Sequence, residues 1–89
     1  MTQRDMEIVN RLGLHARAAA KMVQTAGRFT SNVTLVKDGE AVDAKSILGI
    51  MALGAAQGSK LTVICEGSDE EAASQAIVEL VADRFGEEA

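Results

Sequence analysis

The sequence predicts an α+β fold: a two-layer open-faced sandwich in the order βαββαβα, with three helices on one face of an antiparallel four-stranded sheet. Three observations lead there. Apolar and polar residues alternate in short runs, the period of half-buried strands. Between these runs, apolar residues recur every three or four positions, the period of helices with one buried stripe. With 89 residues, a chain this small hides only about 60% of its unfolded surface, so its core must lie between two layers. One domain, 1–89, is expected, with no linker or internal repeat.

Arg4 to Val9 reads as a strand, with Met6 and Ile8 alternating with charged neighbours. Asn10 to Leu14 reads as a loop. From Ala16 to about Gly27 the period becomes helical, with Ala19, Met22, Val23 and Ala26 facing the core and Gly27 as C-cap. Arg17, Ala20, Lys21 and Gln24 then lie outside, with Arg17, Ala20 and Gln24 along one ridge.

Thr30 to Lys37 is the second strand, Val33 and Leu35 on one face and Thr34 and Val36 on the other. Asp38-Gly39 signals a hairpin into a third strand, Glu40 to Asp43. Ser46 reads as the N-cap of a short helix from Ile47 to about Leu53, which Gly54 ends. Gln57-Gly58-Ser59 is a turn, and Lys60 to Glu66 is the last strand, with Leu61, Val63 and Cys65 alternating. Gly67 to Glu71 opens the final helix with acids that suit its dipole. Ala73, Ala76, Ile77, Leu80, Val81 and Arg84 make its mostly buried row, and Gly86 to Ala89 reads as a frayed tail.

Composition removes several function classes. The net charge of −4 and the presence of only two aromatics, Phe29 and Phe85, argue against nucleic-acid binding, which wants a basic surface and stacking rings. The lone Cys65 and lone His15 leave no disulfide and little for a metal site. The charged N-terminus does not read as a signal peptide. The longest apolar run, Ile47 to Ala56, is far short of the ~20 residues a membrane helix needs. A reduced thiol suits the cytosol, so a cytoplasmic location is expected.

His15 sits where a loop gives way to a helix, and there two readings compete. It is either a capping or surface residue, or a nucleophile beside the unpaired N–H groups and partial positive charge of a helix start. Gly13 allows a sharp turn that exposes the ring, and Arg17 adds a forked cation that suits phosphate oxygens. Between Glu7 and Asp38 the chain has no acid, while Arg11, Arg17, Lys21, Arg28 and Lys37 fall there. Such a basic stretch in an acidic protein suggests an anionic substrate or an acidic partner face.

The Ser46–Leu53 stretch is apolar at more positions than one buried face requires. With Ile50 and Leu53 inside, Ile47, Leu48 and Met51 are left partly exposed, either packed on a second side or forming a docking patch. Ser46 likewise is an N-cap or a phosphorylation site at the edge of that patch.

Gly13-Leu14-His15-Ala16-Arg17, then Ala44-Lys45-Ser46-Ile47 and Leu53-Gly54, at this separation resemble the HPr family, histidine-containing phosphocarriers of the phosphoenolpyruvate-dependent phosphotransferase system. The likeness spans essentially the whole chain. It implies that His15 accepts a phosphoryl group on Nδ1 from phosphorylated enzyme I and passes it to a histidine of an enzyme IIA protein. It implies that Arg17 and the helix-start N–H groups steady that group. Ser46 would match a regulatory serine phosphorylated by an HPr kinase/phosphorylase, and Ala20, Gln24, Ile47, Leu48 and Met51 would form the docking surface. The resemblance implies a covalent carrier rather than a stand-alone turnover enzyme; no cofactor is expected, and a monomer is the default for a carrier that must dock with successive partners. Where many members carry proline this chain has Ala18, which predicts a softer first turn. Sugar-related and nitrogen-related acceptors both remain open.

Overall fold

The computed structural model describes residues 1–89. Its elements are β1 (Thr2–Glu7), α1 (Ala16–Ala26), β2 (Asn32–Lys37), β3 (Glu40–Asp43), α2 (Ile47–Ala52), β4 (Lys60–Glu66) and α3 (Glu70–Ala82), followed by a 3-10 turn at Arg84–Gly86. The strands form one four-stranded sheet in the order β1-β4-β2-β3, and every pair is antiparallel. The predicted fold class and element order are those observed.

Alternation sets which face of the sheet is covered. Met6, Val33, Leu35, Leu61, Val63 and Cys65 point inward and are buried, meeting Ala19, Met22 and Ala26 of α1, Ile50 of α2, and Ala73, Ile77 and Val81 of α3 in one core. Thr34, Val36, Thr62 and Ile64 lie on the opposite, half-buried face. The Asp38-Gly39 link pairs Lys37 with Glu40, and both linking residues take positive φ, 51° and 81°. That is the type I′ geometry whose twist matches the flanking strands.

Several boundaries and faces differ from the expectation. β1 begins and ends two residues earlier than expected, because its register with β4 runs from Thr2–Cys65 to Glu7–Lys60. Ile8 is still fully buried, just beyond the strand. β2 starts at Asn32 because the Thr30 and Ser31 N–H groups are taken by Asp69. Gly27 does cap α1, but with right-handed φ −66°. The buried side of α1 is wider than the stripe predicted: Ala18 and Thr25 are buried, Val23 only half so, and Ala20 and Lys21 are half-buried rather than outside. α1 shares the core over the sheet and packs against both α2 and α3, with Lys21 also meeting the C-terminal turn, so no single stripe describes its contacts.

The C-terminus departs most. α3 ends at Ala82, so Arg84 leaves the helical row, takes φ 56° and is exposed. Phe85 instead turns inward at φ 55° and is completely buried. The predicted frayed tail is docked: the Arg11 N–H donates to the backbone oxygen of Ala89 at 3.0 Å. No helix is long and apolar enough to cross a membrane.

Candidate functional site

The loop before α1 is built around Gly13. Asn10 and Gly13 close a turn, with the Gly13 N–H on the Asn10 carbonyl at 3.2 Å, and Leu14 N–H then reaches the Ala55 carbonyl at 2.9 Å. Gly13 is buried at φ 68°, and a Cβ there would lie 2.5 Å from the Ala55 oxygen. Only glycine fits that approach. The turn docks the loop on the segment after α2, which brings the histidine loop and the apolar α2 together.

His15 is the N-cap residue of α1, extended at φ −74°, ψ 178°, and its side chain makes no capping bond. Its carbonyl accepts the first helical bond, from Ala19 at 2.8 Å. The N–H groups of Ala16, Arg17 and Ala18 therefore have no intrahelical acceptor. The imidazole is 28% exposed and its Nε2 meets Oε2 of Glu87, itself 15% exposed. Oε1 of the same carboxylate accepts from Asn10 Nδ2 at 3.0 Å, and Asn10 Nδ2 also donates to the Gly13 carbonyl at 2.8 Å. Its contact with His15, assisted by the Asn10 bond, holds the Glu87 carboxyl below its usual pKa against an opposing effect of burial.

An open cleft surrounds the ring, lined by Arg11, Leu12, His15, Arg17, Glu87, Glu88 and Ala89. No carboxylate lies within ion-pair distance of Arg11 or Arg17, so both guanidinium groups keep their donors for an incoming anion. A depression of similar volume between β1 and β4 is lined by Asp5, Met6, Glu7, Lys60, Leu61 and Thr62 and has neither histidine nor arginine. No group of three or more His, Cys, Asp or Glu side chains is arranged to hold a metal ion.

The five cations of the acid-free stretch do not gather. Arg11 and Arg17 reach the cleft, but Lys21 binds the Phe85 carbonyl, Lys37 lies beside Asp38, and Arg28 lines a hollow with Glu79 and Asp83. Two acids, Glu87 and Glu88, enter from the far end of the chain. Asn10 and Glu87 were not legible as site residues. The available signal was Phe85-Gly86-Glu87, since one of only two aromatics so close to the end of the sequence can anchor the residues after it.

Beside the cleft lies α2. Ser46 is its N-cap, accepting from the Gly49 N–H at 3.1 Å. A Cβ at Gly49 would lie 3.3 Å from Val42 Cβ, a tight contact, and 3.4 Å from Ser46 Oγ, an ordinary one. Ile50 is fully buried and Leu53 nearly so, whereas Ile47, Leu48 and Met51 are 42%, 83% and 44% exposed. Gln24 is exposed and Ala20 half-buried on α1. Leu12, 64% exposed, adds an apolar side chain at the cleft itself that periodicity does not single out.

The family described as the PTS HPr component phosphorylation site matches residues 2–83. The chain belongs to the HPr family, phosphocarriers of the phosphotransferase system. The phosphocarrier protein HPr of Cupriavidus necator is 53% identical over 87 residues, 98% of each chain. A crystal structure of HPr from Thermoanaerobacter tengcongensis superposes with a TM-score of 0.96 at 49% identity, covering 100% of both chains. A structure of an HPr dimer from that organism has a TM-score of 0.79 at 49% identity and covers 98% of this chain and 100% of that one. The expected HPr fold and family are thus those found.

Proposed function

We propose that this chain takes a phosphoryl group from phosphorylated enzyme I onto Nδ1 of His15 and hands it to a histidine of an enzyme IIA protein. The observation that carries the reading is a partly exposed imidazole at the N-terminus of α1, in a cleft shared with two unpaired arginines. Histidine suits a transferable phosphoryl group because its ordinary pKa near 6.5 leaves much of it neutral and nucleophilic at cellular pH. Transfer then asks mainly for positioning and charge stabilisation. Arg17 and the free N–H groups of Ala16, Arg17 and Ala18 supply donors for the phosphoryl oxygens, and Arg11 adds a second cation at the rim. Ala18 in place of proline supplies one of those three N–H groups, since alanine keeps its amide hydrogen.

Ala20, Gln24, Ile47, Leu48 and Met51 form the surface on which enzyme I and enzyme IIA proteins dock in turn. Ser46 is a regulatory site: a phosphate on it, added by an HPr kinase/phosphorylase, sets a near-dianion beside Ile47 and Leu48 and disfavours acidic partners. The working unit is a single domain of residues 1–89, monomeric and cytoplasmic, so that successive partners reach one face.

The test is incubation with phosphoenolpyruvate, Mg²⁺ and enzyme I, read by intact mass and ³¹P NMR. One acid-labile, base-stable phosphate is expected, and none in His15→Ala. Absence of any phosphate on the parent would refute the carrier role and leave a regulatory binding protein acting through Ser46, Ile47, Leu48 and Met51. Light scattering across a concentration series tests the monomer.

A further inference from the structure

We propose that Glu87 is a positioning residue: its carboxylate keeps the ring proton of His15 on Nε2 and so presents Nδ1 as the nucleophile. This rests on the carrier reading and adds to it how the nitrogen is chosen.

The hydrogen-bond network decides the donors. Asn10 is completely buried, and one nitrogen of its side chain faces two oxygens, Gly13 O at 2.8 Å and Glu87 Oε1 at 3.0 Å. Two acceptors on one amide atom identify it as the NH₂ end. Glu87 Oε1 is therefore an acceptor, and an ionised carboxylate accepts at both oxygens. Nε2 of His15, on Oε2 of the same group, must then be the donor. A neutral imidazole has one ring proton. With it on Nε2, the lone pair lies on Nδ1, which makes no capping bond.

Glu87 is held in place from both sides. Ahead of it Phe85 is fully buried and its carbonyl takes a bond from Lys21 Nζ at 2.5 Å. Behind it the backbone oxygen of Ala89 accepts from the Arg11 N–H. The carboxylate thus meets the ring preorganised, as a second residue orients a histidine base in other sites.

The transfer step balances without moving this proton. The Nδ1 lone pair forms a bond to phosphorus as the donor's N–P bond breaks, its electron pair returning to the donor's ring nitrogen. His15 then carries Nδ1–P and Nε2–H together, so its ring gains positive charge directly opposite Glu87. On transfer to the acceptor the N–P pair returns to Nδ1 and the ring is neutral again. The carboxylate therefore favours the charged ring that forms during uptake.

The test compares parent and Glu87→Ala, both ¹⁵N-labelled, at about pH 8.5, where an ordinary imidazole is neutral. Ring ¹⁵N shifts are expected to show the Nε2–H tautomer alone in the parent and a mixture in Glu87→Ala. Uptake from phosphorylated enzyme I should fall roughly tenfold in Glu87→Ala, while backbone spectra away from the cleft stay the same. Glu87→Gln, which loses the charge and can turn its NH₂ toward the ring, should fall similarly. An identical tautomer population in parent and Glu87→Ala would overturn the assignment, whether or not uptake slows. If neither protein accepts phosphate on His15, the carrier reading fails, while the tautomer spectra still decide the role of Glu87.

Discussion

Lys21 reaches across from α1 and donates to the carbonyl oxygen of Phe85 at 2.5 Å, tying the first helix to the last turn of the chain. The bond places a cation on a carbonyl just past α3, where the helix leaves partial negative charge. Two substitutions separate the bond from the anchor. Lys21→Met keeps the apolar stem and loses the donor, and should lower stability by about 1 kcal/mol. Phe85→Ala removes a fully buried ring and should cost about 3–5 kcal/mol. Urea unfolding measures both. In each, amide exchange at Glu87 to Ala89 should quicken more than exchange in the sheet; equal protection in parent and variants would contradict the anchoring role.

Gly13 allows its turn to pass close to Ala55. Gly13→Ala forces a Cβ to within 2.5 Å of a backbone oxygen at φ 68°, so the loop must shift. Expected losses are about 1–3 kcal/mol in stability, together with displaced amide resonances for Leu14, His15 and Ala55. A spectrum unchanged at those three residues would show that the approach is not limiting.

Ser46 separates capping from charge. Ser46→Ala loses the bond from Gly49 and should destabilise by about 1 kcal/mol. Ser46→Asp keeps an N-cap oxygen and should stay within roughly 0.5 kcal/mol of the parent. Yet Ser46→Asp should be the slower of the two in taking phosphate from enzyme I, because it sets a charge beside the exposed Ile47 and Leu48. Equal uptake in the two variants would remove Ser46 from regulation.

Asp69 links acid stability to the β2 entry. The Ser31 hydroxyl and the Thr30 and Ser31 N–H groups hold its pKa at about 2, below the usual 3.8. Folding therefore favours its ionised form, so this contribution is complete above about pH 4 and is lost as pH falls towards about 2. Glu70 acts in the same window, held at about 2 chiefly by the amino terminus and then by Thr2 and the Gly67 N–H. Asp69→Asn should lower the urea midpoint at pH 7 and make its fall between about pH 4 and pH 2 shallower, with the Glu70 share remaining. An undiminished slope would assign acid sensitivity elsewhere.

Where local chemistry decides, the sequence was readable. β3 and β4 have the expected bounds, Asp38-Gly39 makes the expected hairpin, and Ser46 caps α2 as expected. The inward Ile50 and the outward Ile47, Leu48 and Met51 come from helical spacing alone. His15 at a helix start, with Arg17 two positions on, was legible because both belong to one local turn.

Spacing along the chain could not carry contacts between its distant parts. A single helical stripe misses Ala18 and Thr25, because α1 packs against both α2 and α3. A charge count along the chain predicts a basic field that the fold disperses, since side chains adjacent in sequence diverge around the helix while Glu87 arrives from 72 positions away. Nothing local distinguishes a frayed tail from a docked one; burial of Phe85 makes the difference, and burial is a property of the packed core. Strand and helix periods, turn residues and the placement of His15 were thus decided by short-range sterics and alternation. The partner of His15 and the clamp formed by Asn10 were decided by tertiary packing, because both depend on which chain end the core brings back to the first helix.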